Sequence, residues 1–324
     1  MKPIIIICLI CFAFVIPTKK QIIYNAKFIE ENCIYIPAGS YNLGPSDQDV
    51  PIAHTQKSRV VSVKSFYMWK TEITNEFYKQ FVFETKWKGD SNAYKSTLPD
   101  TAVWRDKFAY NEPYVEYYFR HPAYGQYPLV GINYNQCLKF CEWLTEKYNT
   151  DPKRKFKKVK FDLPGEEQWI WAAKGGLEFA SFPWKGPYMQ NSKAQWKANF
   201  AVMDQSGIVR LEFDVPSVYG GTYKQTYNVA GASGYNVEFG SKLNYSADIT
   251  SPVISYWPNE YGLYNMSGNV EEFIKEKGIT KGGSWRDTGY YLQIDSKEEY
   301  SDSTQTSSER GFRIIMNVLE EFKK

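Results

Sequence analysis

Cysteine thiolates carry the soft-metal and redox chemistry of proteins, and this chain has five cysteines. Cys137 and Cys141 lie four apart in Asn135-Gln136-Cys137-Leu138-Lys139-Phe140-Cys141-Glu142-Trp143-Leu144. One helical turn separates them, a spacing that could hold a metal or a redox pair. The same spacing places both thiols with Phe140 and Leu144 on one apolar stripe, where small buried thiols are the commoner outcome. His54 and His121, the two histidines, show no metal-ligand spacing. Trp169, Trp171, Trp184 and Trp196 could line a ligand groove, although such residues more often form core.

The elements that must position these groups are short. Ile34 to Leu43 alternates around the turn Pro37-Ala38-Gly39-Ser40, and Val60 to Met68 alternates again, which predicts paired short strands. Thr74 caps a helix carrying Phe77, Tyr78 and Phe81 on its buried face, with Glu76 at the positive end of the helix dipole. A second helix carries Cys137, and a third begins after Pro164 and stops at Gly175-Gly176. Asp90 to Tyr127 reads as ordered, irregular backbone, 201–250 as long loops or hairpins, and Gly311 to Met316 as a closing strand.

The chain has 39 basic and 36 acidic residues spread along its length, with no basic stripe to follow phosphates, so nucleic acid is not an expected partner. Its 26 Tyr and 10 Trp exclude a disordered chain. Met1-Lys2-Pro3, the apolar run Ile4 to Ile16 and then Lys19-Lys20 have the order of an export signal, too short for an ordinary spanning helix of ~20 residues. Residues 1–20 are therefore expected to be an export signal or N-terminal anchor, bringing the protein near a membrane. Cys8 and Cys11 follow isoleucines, a poor match to a lipoprotein signal. Cys33, Cys137 and Cys141 then remain, an odd number, so disulfides do not organise the fold. No repeat or linker divides the rest, and one domain over 30–320 is expected.

The order of the motifs resembles a known family. Pro37-Ala38-Gly39-Ser40, Glu72-Ile73-Thr74-Asn75, Tyr127-Pro128-Leu129-Val130-Gly131, Leu163-Pro164-Gly165-Glu166-Glu167-Gln168-Trp169 and Phe182-Pro183-Trp184-Lys185-Gly186 follow one another. The most specific run is Gly262-Leu263-Tyr264-Asn265-Met266-Ser267-Gly268-Asn269-Val270-Glu271-Glu272, then Lys281-Gly282-Gly283-Ser284-Trp285 and Gly311-Phe312-Arg313. This collinear set is similar to the formylglycine-generating enzyme, or sulfatase-modifying factor, family. The resemblance implies a compact α+β fold related to C-type lectins, with few short helices, short strands and much irregular backbone.

The family's oxidase uses copper held by two cysteines three and eight residues beyond the serine of its Gly-Gly-Ser-aromatic motif. Counting from Ser284 gives Asp287 and Leu292, neither of which can hold Cu(I) as a thiolate does. No catalytic residue is therefore expected, nor copper. Two histidines are too few for the three-histidine iron site of other relatives, so iron is not expected. The resemblance also implies a structural Ca²⁺ held by Asn265, Gly268, Val270 and Glu272, hard oxygen donors around a tight turn. A second calcium site would start at Asn199 and Phe200, but its later aspartate has no clear counterpart near 244–247.

Tyr256-Trp257-Pro258-Asn259 and the stretch Gly283 to Leu292 look most like gliding-motility and type IX secretion proteins of Bacteroidota. The expected function is a non-catalytic structural or interaction protein of the cell envelope, in the periplasm or at the outer membrane, with envelope or secretion-machinery partners. A formylglycine-generating oxidase and a carbohydrate- or peptide-binding module are the alternatives.

Overall fold

The computed structural model describes residues 24–44, 59–105, 111–201, 208–216, 222–230 and 249–322. The N-terminal segment 1–20, with Cys8 and Cys11, lies outside these, as do His54 and residues 244–247.

In chain order the first elements are α1 (Ala26–Asn32), β1 (Cys33–Ile36), β2 (Gly39–Leu43), β3 (Arg59–Val63), β4 (Phe66–Trp69) and α2 (Asn75–Trp87). There follow α3 (Ser91–Thr97), α4 (Glu112–Tyr117), α5 (Tyr134–Thr150), β5 (Lys158–Asp162) and α6 (Glu166–Lys174). The hairpin β6 (Ile208–Pro216) and β7 (Thr222–Ala230) comes next, then β8 (Glu271–Phe273), β9 (Ile279–Lys281), β10 (Glu298–Glu299), β11 (Arg310–Phe312) and β12 (Ile315–Glu320). Helices are few and strands short, the α+β architecture that the resemblance implies.

Thr74 caps its helix as read from the sequence, and a capping box that the sequence reading did not single out starts α5. Thr74 Oγ1 accepts from the Phe77 N–H at 3.1 Å, and Asn133 and Gln136 cap α5 reciprocally, each side-chain oxygen accepting the other's backbone N–H. Gly175, at φ +59°, ends α6 in the left-handed region. α2 and α5 then pack Phe77, Tyr78 and Phe81 against Phe140 and Trp143, with Tyr78 and Phe140 stacked at 5.6 Å. Cys33, Cys137 and Cys141 lie in this core as free, buried thiols, the packing role read for Cys137 and Cys141.

Three parts differ from the sequence expectation. Residues 90–127 contain α3, α4 and two 3-10 turns (Thr101–Trp104 and Pro122–Tyr124). At three to seven residues each, these are too short to show a helical period and depend on packing and on caps such as Asp90 and Asp100. α1 was not expected. The closing strand is two strands, split at Arg313-Ile314.

That split joins the two sheets. β12 lies between β4 and β5 in an antiparallel sheet of order β1-β4-β12-β5. β11 pairs in parallel with β8 at the edge of the second sheet, of order β10-β9-β8-β11. Arg310 thus lies opposite Glu271 and Gly311 opposite Glu272, while Glu298 lies opposite Thr280 across β10 and β9.

Candidate functional site

The loop 265–272 enters the centre of the molecule. Asn265 and Asn269 adopt positive φ of 49° and 72°, and Gly268, at 78°, passes so close to Asn199 that a Cβ would lie 2.4 Å from its carbonyl oxygen. β8 then carries Glu272 inward beside Arg313, and both are fully buried.

Arg313 has all five of its N–H groups engaged. Nε donates to Glu272 Oε1 at 3.0 Å and Oε2 at 3.2 Å, and Nη2 to Glu272 Oε1 at 2.8 Å and the Tyr264 carbonyl at 2.6 Å. Nη1 reaches the Trp69 and Lys70 carbonyls. Trp169 Nε1 donates to Glu272 Oε2 at 2.8 Å, so the carboxylate is surrounded by donors.

Glu272 is therefore committed to a guanidinium and an indole. A hard cation placed on the same oxygens would lie against the positive charge of Arg313. Without Glu272 the expected calcium set keeps the Asn265 amide and the Gly268 and Val270 carbonyls, all neutral, and it does not fit a calcium ion that relies on that carboxylate. Asn265 Nδ2 itself donates to Glu72 Oε2 at 3.2 Å and to the Val253 carbonyl. Of the second expected set, Asn199 Nδ2 donates to the Ile249 carbonyl at 2.8 Å, and Phe200 packs with Phe182 and Leu292. Its missing aspartate falls at 244–247, outside the described residues.

Asn269 is the hub that the sequence did not single out. Its Nδ2 donates to Glu72 Oε1 at 2.8 Å and its Oδ1 accepts from the Ser251 N–H at 2.7 Å. Its own N–H donates to the Asn199 carbonyl, and its carbonyl accepts from Trp285. Burial raises the Glu72 carboxyl to about 8, Arg313 opposing and Glu272 adding to the shift.

Asp287 and Leu292, which the resemblance aligns with the family's thiols, lie beyond β9. Asp287 Oδ2 accepts from the Ser284 N–H at 2.6 Å and from its hydroxyl at 2.5 Å, closing the turn after Gly283. Leu292 is fully buried with Phe182, Ala198 and Phe200. Cys137 and Cys141 pack instead in the α2–α5 core, where burial pushes both thiols well above the ordinary range.

Acids gather around Asp287. Burial, the charge of Glu271 and a hydrogen bond with Asp287 raise Glu298 to about 9. Burial also raises Glu271 and Glu309, against Arg310 and Arg286 respectively. Arg310 Nε donates to Glu271 Oε1 at 2.7 Å, Thr280 Oγ1 hydrogen-bonds Glu271 Oε2, and Arg286 Nη1 lies 3.2 Å from Glu309. Carboxyl groups do not replace a thiolate as a Cu(I) ligand. Among the described residues no group of three or more His, Cys, Asp or Glu could hold a metal ion.

The four tryptophans form no single groove. Trp169 is fully buried; Trp171 donates to the Pro37 carbonyl and stacks on Tyr41; Trp196 meets Phe200 edge-on. Trp184 does face a cleft, with the exposed Trp257.

Comparison with known proteins agrees with this architecture. The chain is 22% identical to the inactive C-alpha-formylglycine-generating enzyme 2 of Bos taurus, covering 79% of this chain and 77% of the relative. It is 25% identical to the Bos taurus formylglycine-generating enzyme, over 88% of this chain and 74% of that one. In structure it is similar to PvdO from Pseudomonas aeruginosa, with a TM-score of 0.55 at 17% identity, covering 90% of this chain and 94% of the other. A family model, the sulfatase-modifying factor enzyme 1-like domain, matches residues 19–210 and 209–318, and with the motif order and the fold it establishes that this chain belongs to that family.

Proposed function

We propose that this protein is a non-catalytic member of the family, serving as a structural or interaction protein of the bacterial cell envelope. The observation that carries the reading is the environment of the two thiol positions. Asp287 spends its carboxylate on the Ser284 turn, and Leu292 fills a core of Phe182, Ala198 and Phe200, so neither offers sulfur to copper. The inactive bovine relative is a precedent for a family member without the activity. The envelope assignment is supported by the signal-like order of residues 1–20 and the likeness of the 256–259 and 283–292 stretches to gliding-motility and type IX secretion proteins.

Two measurements test the reading. The purified chain is incubated with Cu(I) and a cysteine-containing sulfatase peptide while oxygen is followed. The expected result is neither stoichiometric copper uptake nor peptide-dependent oxygen consumption, and turnover would overturn the proposal. In cells, fractionation with affinity purification is expected to recover the protein in the envelope with motility or secretion components. Recovery from the cytosol alone would remove the envelope half.

A further inference from the structure

A cleft of about 240 Å³ opens between the segment 183–197 and the segment 257–267. Its walls are mostly apolar: Trp184, Trp257, Pro183, Pro258, Leu263 and Met266. They are pre-set, because Trp184 stacks on Phe182 at 5.1 Å and its indole N–H is held by the Tyr188 carbonyl at 3.0 Å.

Most of the polar side chains of the lining already make hydrogen bonds within the fold, and Lys197 stands apart. Asn191 Nδ2 donates to Gln195 Oε1, and Asn191 Oδ1 accepts from the Lys193 and Gln195 N–H groups. Asn265 Nδ2 serves Glu72 and the Val253 carbonyl, and the Ser267 hydroxyl donates to the Leu292 carbonyl at 2.6 Å. The Lys197 backbone N–H is fixed to the Met189 carbonyl, while its ammonium lies 5.5 Å from the Trp184 ring centre. Among the described residues it has no carboxylate partner, and partial burial alone depresses its pKa. Glu260, in the segment that carries Trp257, is taken by Lys185 at 3.2 Å.

A half-buried cation over an indole, with no acid beside it among the described residues, favours an anionic ligand. Aromatic and proline walls favour a flat apolar body. A sugar would bring many hydroxyls to side chains whose hydrogen bonds are already made, and unpaired polar groups oppose binding. We infer that the cleft is a binding site for a small organic anion with a flat ring, its charge at Lys197 and its ring against Trp184 and Trp257.

The test is calorimetric titration of the full-length protein with 2-naphthoate, its neutral analogue 2-naphthamide, and glucuronate. 2-Naphthoate is expected to bind about tenfold or more tightly than 2-naphthamide. In Lys197→Met that preference should vanish while 2-naphthamide binding stays as it was, and Trp257→Ala should weaken both. Unchanged circular dichroism and melting establish that each variant is folded. Equal affinities for the two naphthalenes, no binding of either, a preference that survives Lys197→Met, or glucuronate binding as tightly as 2-naphthoate would each overturn the inference.

Discussion

Two charge clusters, one fully buried and one partly exposed, lie within the same family framework, and they are built differently. Around Arg313 every N–H has an acceptor and Glu272 is ringed by donors. Around Asp287, four acids (Glu271, Asp287, Glu298 and Glu309) face Arg286 and Arg310, and neither Arg310 Nη1 nor Glu298 Oε1 has a hydrogen-bond partner among the described residues. A fully satisfied network fixes one conformation, and a partly satisfied one does not. The first cluster joins the two sheets at the β11–β12 break. The second surrounds Asp287, which the resemblance to the family aligns with one of the oxidase's thiols.

The largest effect should come from breaking the first cluster. Arg313→Met leaves Glu272 buried and strips a donor from each of the Tyr264, Trp69 and Lys70 carbonyls, at a cost of about 3–5 kcal/mol in denaturant unfolding. Glu272→Ala should cost a similar amount, equally in calcium and in chelator. A loss confined to calcium-containing buffer would show that the carboxylate serves an ion and not Arg313. Leu292→Ala, at the position that the resemblance aligns with the second thiol, should cost about 2–4 kcal/mol as a cavity beside Phe182 and Phe200. A cost under about 0.5 kcal/mol there would mean that this wall is open and not core.

The next effect is on pH dependence. Glu72 and Glu298 are raised from 4.5 to about 8 and about 9, so the folded state holds protons that the unfolded chain has released. Their contributions are complete below about 4.5, decline as pH rises, and level off above the folded values. Glu72→Gln should flatten the stability profile between pH 5 and 8, and Glu298→Gln should flatten it further, up to pH 9. Denaturation midpoints at pH 5, 7, 8 and 9 separate the two clusters. If Glu298→Gln leaves the pH 8–9 slope as in the parent, the acid cluster is not sharing protons.

How much of this was legible follows from what a sequence can express locally. Thr74 and Pro164 mark helix starts because capping is settled within four residues, and α2, α5 and α6 are long enough to show their stripes. The 265–272 loop was legible as a motif, with its asparagines and glycine. Its electrostatic partners were not. Arg313 reaches Glu272 through the parallel β8–β11 pairing, which depends on sheet order, and Asn269 reaches Glu72 across 197 residues. Glu72 read only as part of a helix-entry motif, and nothing near it signalled a buried carboxyl. The cleft was half legible: Trp184 was singled out, but Trp257 and Lys197 join it only once the 183–197 and 257–267 segments are folded together.

The smallest effect separates the clusters most sharply. Arg286 and Glu309 pair at 3.2 Å with side chains 53% and 28% exposed, so solvent screens much of the attraction and Arg286→Ala should cost less than about 1 kcal/mol near neutral pH. The loss should not be uniform in pH. Arg286 lowers the Glu309 pKa, which burial already raises, so removing the guanidinium raises it further. Parent and variant should then differ least below about pH 4.5, where Glu309 is protonated in both folded and unfolded chains, and diverge as pH rises. Added salt should shrink that divergence. Arg313→Met should keep its full cost in salt, because its partners are buried. A salt-insensitive Arg286→Ala loss as large as that of Arg313→Met would mean that the two clusters are equally structural.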